Sequence, residues 1–362
     1  MTGKDSKIPT DAVRLPSFEE IQSDPRKLME ATLLLESLAH EADRWAVQSC
    51  GDRSVVFTPP AEPLSHEELD QLYALPFTRD PHPSYTEPVP CMEMIRFSVT
   101  SHRGCGGGCT FCSLTLHQGR RIQSRSRKSI LQEVGKMTRH PRWKGSISDV
   151  GGPSANEWGG RCSAPAEYNC KRPSCLFPKI CGYYRVDQAA QIDLLRSITR
   201  LPHVKHVRVA SGIRHDLALR EKDYIRKMAS KFVGGQIKIA PEHSSEQVLR
   251  LMRKPPFEAF EKFLQVFERD CQSEGREQYV IPYLLSAFPG CTDEDMKQLA
   301  RWLKVRGWKP QQVQCFIPTP GTVATAMYYA GIDTEGNPIP VARSDSARLR
   351  QHHILLGGKG HL

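Results

Sequence analysis

The chain has no apolar run approaching the ~20 residues that a membrane-spanning helix requires, so no membrane partner is expected. Its opening, "MTGKDSKIPTD", lacks the apolar h-region of a secretory signal. A cytoplasmic address is the expectation. Aromatic residues are sparse, at 8 % of 362 residues, and no aromatic-rich RNA-binding signature, helix-turn-helix with a basic face or internal repeat is present. These absences remove the familiar nucleic-acid modules. The net charge of +10 stays compatible with nucleic acid or another polyanion without pointing to one. The densest basic run, "RRIQSRSRKS" (120–129), reads as a solvated face or an anion-steering rim. No Ser or Cys nucleophile motif has a matched base, which excludes a ping-pong hydrolase.

What the chain does contain is cysteine. In a reducing compartment twelve cysteines are not read as a disulfide framework. Seven of them lie between 105 and 181. Cys50, Cys91, Cys271, Cys291 and Cys315 are scattered, and small buried hydrophobes are expected there.

Residues 1–90 read as an N-terminal extension and linker. Residues 18–48 read as helical with Pro25 interrupting early, "RSVVFTPP" as one short strand, and "SHEELDQLYAL" as a helix capped by Ser65 with Glu68 three residues on. From 91 to 325 short β-like runs alternate with amphipathic helical ones. The strands are placed at 94–100, 145–150, 204–210, 235–240, 279–286 and 313–318. The helices between them carry buried stripes such as Ile130, Val134 and Met137, or Phe260, Leu264 and Phe267. Asp187 and Thr292 are expected N-caps, and Gly307 ends a helix. Six strand–helix units imply parallel pairing through right-handed crossovers. The turns "GGPSAN", "SGIRHD", "PEHSS", "AFPG" and "PTPGT" all follow strands, as does the cysteine loop. That places every unusual turn at the C-terminal strand ends, as in a barrel, whereas a doubly wound sheet has one switch point. The expected fold class is therefore α/β: a partial (β/α)6 TIM-like barrel with a mostly helical N-terminal extension and a Cys-rich insertion at 151–185. Residues 326–362 read as a peripheral tail, with "GGKG" as flexible terminus.

The loop "SHRGCGGGCTFCSLTLHQGR" carries Cys105, Cys109 and Cys112 at Cys-x3-Cys-x2-Cys spacing. Structural zinc wants four ligands in a closed tetrahedron. Three thiolates would leave one iron of a cubane cluster open to a small molecule. The surrounding glycines suit a backbone folded closely around an inorganic body. Phe111 would shield that body from solvent.

The motif Cys105-x3-Cys109-x-Phe111-Cys112 after the first strand resembles the radical S-adenosylmethionine (SAM) superfamily. The strings "RFSVTSHRGCGGGCTFCSLTLHQGRRIQSRS", "DVGGPSAN", "IKIAPEH" and "FIPTPGTVATAMYY" resemble its YgiQ-like family, from "RLPSFEEI" to "VAR" at 341–343. The resemblance implies a 4Fe-4S cluster on Cys105, Cys109 and Cys112, with SAM bound at the open iron. One electron then cleaves SAM to a 5′-deoxyadenosyl radical that acts on an unidentified substrate. A reductant such as flavodoxin or ferredoxin is the implied partner. It also implies SAM contacts from Gly151 and Gly152, from Ser211 and Arg214, and from Glu242 or His243. Pro318, Thr319 and Pro320 would lie near the adenine. The acid usual after the glycine pair is Pro153 here. Family members generally carry a further upstream domain, so a shortened form or a fragment is expected.

A second group, Cys162, Cys170, Cys175 and Cys181, falls at intervals of eight, five and six. Clustered reduced thiols point to metal, either zinc as a closed clasp or an auxiliary cluster. Two other readings remain open: a SAM-dependent RNA-modifying enzyme resembling a methylthiotransferase, and a zinc-stabilised binding module without catalysis.

Overall fold

The computed structural model describes residues 8–310 and 312–356. The first segment is more than helical. β1 (Val13–Arg14) is followed by α1 (Phe18–Ser23), which Ser17 caps in a capping box with Glu20, and α2 (Arg26–Glu41). The helical reading of 18–48 fails past Ala42, where a left-handed residue (φ 59°) stops α2 and the chain turns into β2 (Ala46–Cys50). β2 pairs antiparallel with β3 (Arg53–Phe57) and parallel with β1. The single strand read at "RSVVF" is thus one arm of a hairpin. α3 (His66–Ala74) has the expected capping box of Ser65 and Glu68.

The expected strand at 94–100 is half helix. α4 (Met92–Ile95) precedes β4 (Ser98–Thr100), because Cys91 starts a helical turn that holds Met94, Ile95 and Arg96 by backbone bonds. Cys91 itself is exposed, against expectation; Cys271 and Cys291 are buried as expected, and Cys50 and Cys315 are half-buried. β5 (His102–Arg103) leads into the cysteine loop, α5 (Leu114–Gln118) follows it, and β6 (Gln123–Ser124) returns antiparallel to β5. α6 (Arg127–Met137), β7 (Ser146–Ile147) and β8 (Asp149–Gly151) come next. The Cys-rich insertion contains the hairpin β9 (Arg161–Cys162) with β10 (Tyr184–Arg185). Then come α7 (Gln188–Thr199), β11 (His206–Val207), α8 (His215–Ala218), α9 (Tyr224–Lys231), β12 (Gln236–Glu242), α10 (Glu246–Met252), α11 (Phe257–Ser273), β13 (Tyr279–Ser286), α12 (Asp293–Val305), β14 (Gln312–Cys315), α13 (Val323–Ala330) and α14 (Asp345–Leu356).

Seven strands pair in parallel, as in an α/β series: β4 with β8, β7 with β11, and β12 with β13 with β14. Consecutive strands are neighbours, and helices fill the crossovers. No closed barrel forms among the described residues; between β11 and β12 a backbone bond from Val209 to Phe232 replaces a ladder. The stripes read from periodicity all face one core. Phe260, Phe263, Leu264 and Phe267 on α11 are at most 1 % exposed, each contributing about 2 kcal/mol by burial. Asp187 and Thr292 cap α7 and α12, and Gly307 closes α12 at φ 65°.

Two expectations are corrected. Within "RRIQSRSRKS", Arg125 is not solvated: it is 1 % exposed, pairs with Glu133 and lies 4.1 Å from the Tyr73 ring centroid. A buried guanidinium is tolerated because Glu133, which also takes Arg79, neutralises it. The segment after 325 is no peripheral tail either. α14 packs on α12, β13 and β14. Arg348 donates to the Phe316 carbonyl (2.7 Å), Gln351 to that of Cys291 (3.0 Å), and Leu355 joins the core. The "GGKG" run lies outside the described residues.

Candidate functional site

Parallel pairing sends the loops after β4, β8, β11, β12, β13 and β14 to one face. The cysteine loop is held there from several directions. The Thr110 N–H donates to the Met252 carbonyl (3.2 Å) and its hydroxyl to that of Leu251 (2.8 Å), both at the end of α10; the Ala324 N–H donates to the Thr110 carbonyl (2.9 Å). Arg253, in the left-handed region at φ 56°, forms a bidentate pair with Glu36 of α2 (2.6 and 3.0 Å) and reaches the Gly108 carbonyl (3.5 Å). The N-terminal segment is therefore a wall of this site. From the insertion, Ser174 donates to the Gly107 carbonyl (2.5 Å). Gly104 and Gly108 have φ of 83° and 60°, and a methyl on either would run into a backbone oxygen, of Arg121 and Pro173 respectively.

Cys105, Cys109 and Cys112 are half-buried free thiols. A methyl on Gly107 would lie 3.3 Å from Cys105 Sγ, 3.7 Å from Cys109 Sγ and 3.2 Å from Arg214 Nη1. The missing side chain thus leaves a cradle edged by two thiols and a guanidinium. Glu157, absent from the sequence reading, lies beneath it. Its Oε1 accepts from the Gly106 N–H (3.1 Å) and the Tyr184 hydroxyl (2.7 Å), while buried Oε2 has no partner. Burial raises the Cys105 thiol pKa well above its usual value, and Glu157 and Cys109 add to this; burial likewise raises Glu157. No three His, Cys, Asp or Glu donors among the described residues converge on a single ion. A cubane, in which each thiolate holds a different iron, suits this donor set better than zinc.

The other expected contacts divide. Arg214, buried, reaches the loop, with Nε and Nη2 clamped by Asp216 (2.9 and 2.6 Å) and Nη1 left beside Gly107. Glu242 stands at the end of β12 with a left-handed backbone (φ 69°), 3.6 Å from Lys254. Burial raises its pKa, and Lys254 opposes the rise. Both lie within electrostatic reach of Cys112. Ser211 is already engaged: its N–H and hydroxyl donate to Asp149 Oδ1 (3.0 and 3.1 Å). Gly151 is required by that same close approach, and its carbonyl accepts from the Ser101 N–H (2.7 Å) and hydroxyl (3.1 Å). Gly152 has the His102 ring against its Cα, 2.6 Å from where a methyl would sit. His243 faces away from the loop. Its Nδ1 accepts from the Ser244 and Ser245 N–H groups (3.0 Å each), and Nε2 faces Met296 Sδ (3.3 Å) and Cys291 Sγ (3.5 Å). Phe111 packs edge-on against Phe288, centroids 6.2 Å apart. In the loop after β14, Thr319 accepts from Thr322 and Thr325 at the start of α13 (2.8 and 2.7 Å).

In the insertion, Cys170 and Cys181 lie close enough to Cys175 to add to its rise, which burial begins and carries to about 11; Cys162 is exposed on β9. Among the described residues no three of these thiols are gathered on a single point.

Asp216 gives a testable consequence. Burial alone would raise its pKa, but Arg214 outweighs burial and holds it at about 2. A depressed carboxylate stabilises the fold above its unfolded value, near 3.8, and loses that contribution as pH falls toward 2. Asp216→Asn leaves Arg214 buried and unpaired, a cost of about 3–5 kcal/mol. Urea unfolding should show that deficit unchanged from about pH 7 to 4 and shrinking below. A deficit that closed between pH 7 and 5 would contradict the pairing.

A family model described as Radical SAM N-terminal matches residues 1–98. A UPF0313 protein of Geobacter sulfurreducens is 47 % identical over 358 residues, covering 98 % of this chain and 59 % of the relative. UPF0313 proteins of Pseudomonas aeruginosa and Methanocella arvoryzae are 43 % and 42 % identical, covering 95 % and 96 % of this chain and 47 % and 58 % of the relatives. The chain thus spans about half the length of the curated relatives it matches. Among solved structures, the radical S-adenosylmethionine methyltransferase TsrM of Kitasatospora setae, with cobalamin and a [4Fe-4S] cluster bound, aligns with TM-score 0.45 and 14 % identity, covering 93 % of this chain and 70 % of that one. Methylornithine synthase aligns with TM-score 0.41 and 12 % identity, covering 82 % and 71 %.

Proposed function

This chain belongs to the UPF0313, YgiQ-like family of radical SAM proteins, and from that premise we propose that it is an enzyme whose Cys105, Cys109 and Cys112 hold a 4Fe-4S cluster. The observation that carries the reading is the Gly107 cradle edged by Cys105, Cys109 and Arg214. When bound, the cluster supplies one electron from a flavodoxin- or ferredoxin-type donor, which breaks a C–S bond of SAM to give methionine and a 5′-deoxyadenosyl radical. The chain's own residues position and exclude. We take the six parallel strands as an open (β/α)6 arc whose C-terminal ends surround the reaction. Arg214, locked by Asp216, has Nη1 free to hold the SAM carboxylate. Glu242 and Lys254 offer a buried polar pair to SAM or to substrate. Phe111 and Phe288 keep water from the cluster's inner side. Gly151 and Ser211 act by letting the loops approach, since their polar groups are already satisfied.

The test is anaerobic reconstitution followed by reduction with dithionite. Methionine and 5′-deoxyadenosine in equal amounts, rising when a fraction of cell extract is added, support the reading. A reconstituted protein that leaves SAM intact removes it. No step runs through the second cysteine group; its thiols stay proposed ligands for zinc or an auxiliary cluster. Cys170→Ala should then lose zinc, or iron beyond about four atoms per chain, while the first cluster's spectrum persists. Unchanged metal content would leave those thiols without a ligand role.

A further inference from the structure

The face opposite the cysteine loop has a different electrostatic character. Parallel pairing gathers there the connections that enter the strands, five of them being 138–145 before β7, 200–205 before β11, 231–235 before β12, 274–278 before β13 and 306–310 before β14. The first holds Arg139, Arg142 and Lys144, and the second Arg200 and Lys205. The remaining three add Lys231, Arg276, Arg306 and Lys309. Against these nine cations stand two acids, Glu274 and Glu277. These five connections thus carry an excess of seven positive charges, partly offset where Asp80 meets Arg142 and Glu268 meets Arg306. On the opposite face the charges are mostly buried and paired, as in Arg214 with Asp216 and Lys254 with Glu242. Here most are exposed. Among the described residues, Arg139, Lys144, Arg200, Lys205, Lys231, Arg276 and Lys309 have no carboxylate within 4 Å.

The face is concave. A groove of about 620 Å³ runs between the ends of β11, β12 and β13, lined by Lys205, Arg208, Lys231 and Arg276, by one acid, Glu277, and by Gly234 and Gly235. At its edge Tyr279, the first residue of β13, is 56 % exposed, its hydroxyl donating to Glu277 while the ring face stays open.

We propose that this groove binds an unpaired stretch of nucleic acid, with its cations on successive phosphates and Tyr279 stacked on a base. The concavity and the exposed aromatic ring favour this over an anionic membrane, which meets a protein as a flat surface and rewards a row of inserted apolar side chains. The proposal is independent of the cluster chemistry, because the groove lies at the other ends of the strands.

The test uses the full chain and a short fluorescent RNA oligoadenylate, with anisotropy read over a salt series. Vesicles of phosphatidylserine and phosphatidylcholine form a parallel arm. The triple variant Lys205→Glu, Lys231→Glu, Arg276→Glu should weaken RNA binding about tenfold or more and reduce the log–log salt slope by about 2. The control variant Lys262→Glu, Lys297→Glu, Arg301→Glu makes the same charge change on exposed helix surfaces and should leave binding nearly unchanged; circular dichroism of both triples reports folding. Tyr279→Ala should weaken binding without changing the salt slope. Equal weakening by both triples, binding to vesicles but not to RNA, or no RNA binding at physiological salt would each overturn the proposal.

Discussion

Cys105→Ala should yield a folded protein that loses the SAM-sensitive cluster spectrum and releases no 5′-deoxyadenosine. The expected change is a loss of about four irons per chain, because a cubane needs a thiolate on each of three irons and two cannot hold it. No neighbouring side chain substitutes. Glu157 is the nearest candidate and its Oε2 is unpartnered, but burial disfavours the charged form that a ligand must take. The Cys105 Sγ accepts from the Gly107 N–H (3.4 Å), and the denaturant midpoint of the variant separates cluster loss from any loss of folding. Cys91→Ala, at an exposed position far from the loop, is the control and should keep all its iron. A Cys105→Ala protein with a full iron content and a SAM-sensitive spectrum would remove the proposed cluster from this loop.

Gly108→Ala should damage the same site without touching a ligand. Two costs combine. At φ 60° an L-residue is in the left-handed region, a penalty of about 1 kcal/mol. The new methyl then meets the Pro173 carbonyl oxygen and lies 3.2 Å from Ser174 Cβ. The carbonyl is backbone and the Cβ is fixed to it, in a segment that the Ser174 hydroxyl fastens to the loop through Gly107. Relieving the overlap must therefore move the loop or the insertion, adding about 1–3 kcal/mol. Denaturant midpoints should fall accordingly, and iron loading should drop with them. Gly307→Ala separates the two costs. It shares a positive φ, of 65°, but has nothing within 4 Å of the added methyl and lies at the end of α12, so it should lose only about 1 kcal/mol and load iron normally. Equal losses in the two variants would mean that the insertion does not brace the loop.

The local features were readable. Capping boxes at Ser65 and Thr292, the stripes on α6, α7, α9 and α11, and the three-cysteine loop are patterns confined to a few neighbouring residues. Where local signals competed, the reading slipped: "MEMI" is apolar enough for a strand, yet it forms a turn of helix before β4. An absent acid at Pro153 gave no hint that Glu157 would sit under the loop, because that requires the 3-10 turn at Ala155–Glu157 to face Gly106.

By itself, the sequence determined where thiols crowd, which faces of the helices are apolar, and that strands alternate with helices, since these follow from spacing and side-chain chemistry within a turn or two. Tertiary structure alone decided that Glu36 grips Arg253 beside Gly108, that Asp149 occupies Ser211, that Asp216 aims Arg214 at the cysteines, that His243 turns inward, and that scattered cations meet on one face. Most of these depend on residues tens to hundreds of positions apart, or on which way a strand end points. Only parallel crossovers, closing long loops around one core, bring such groups together.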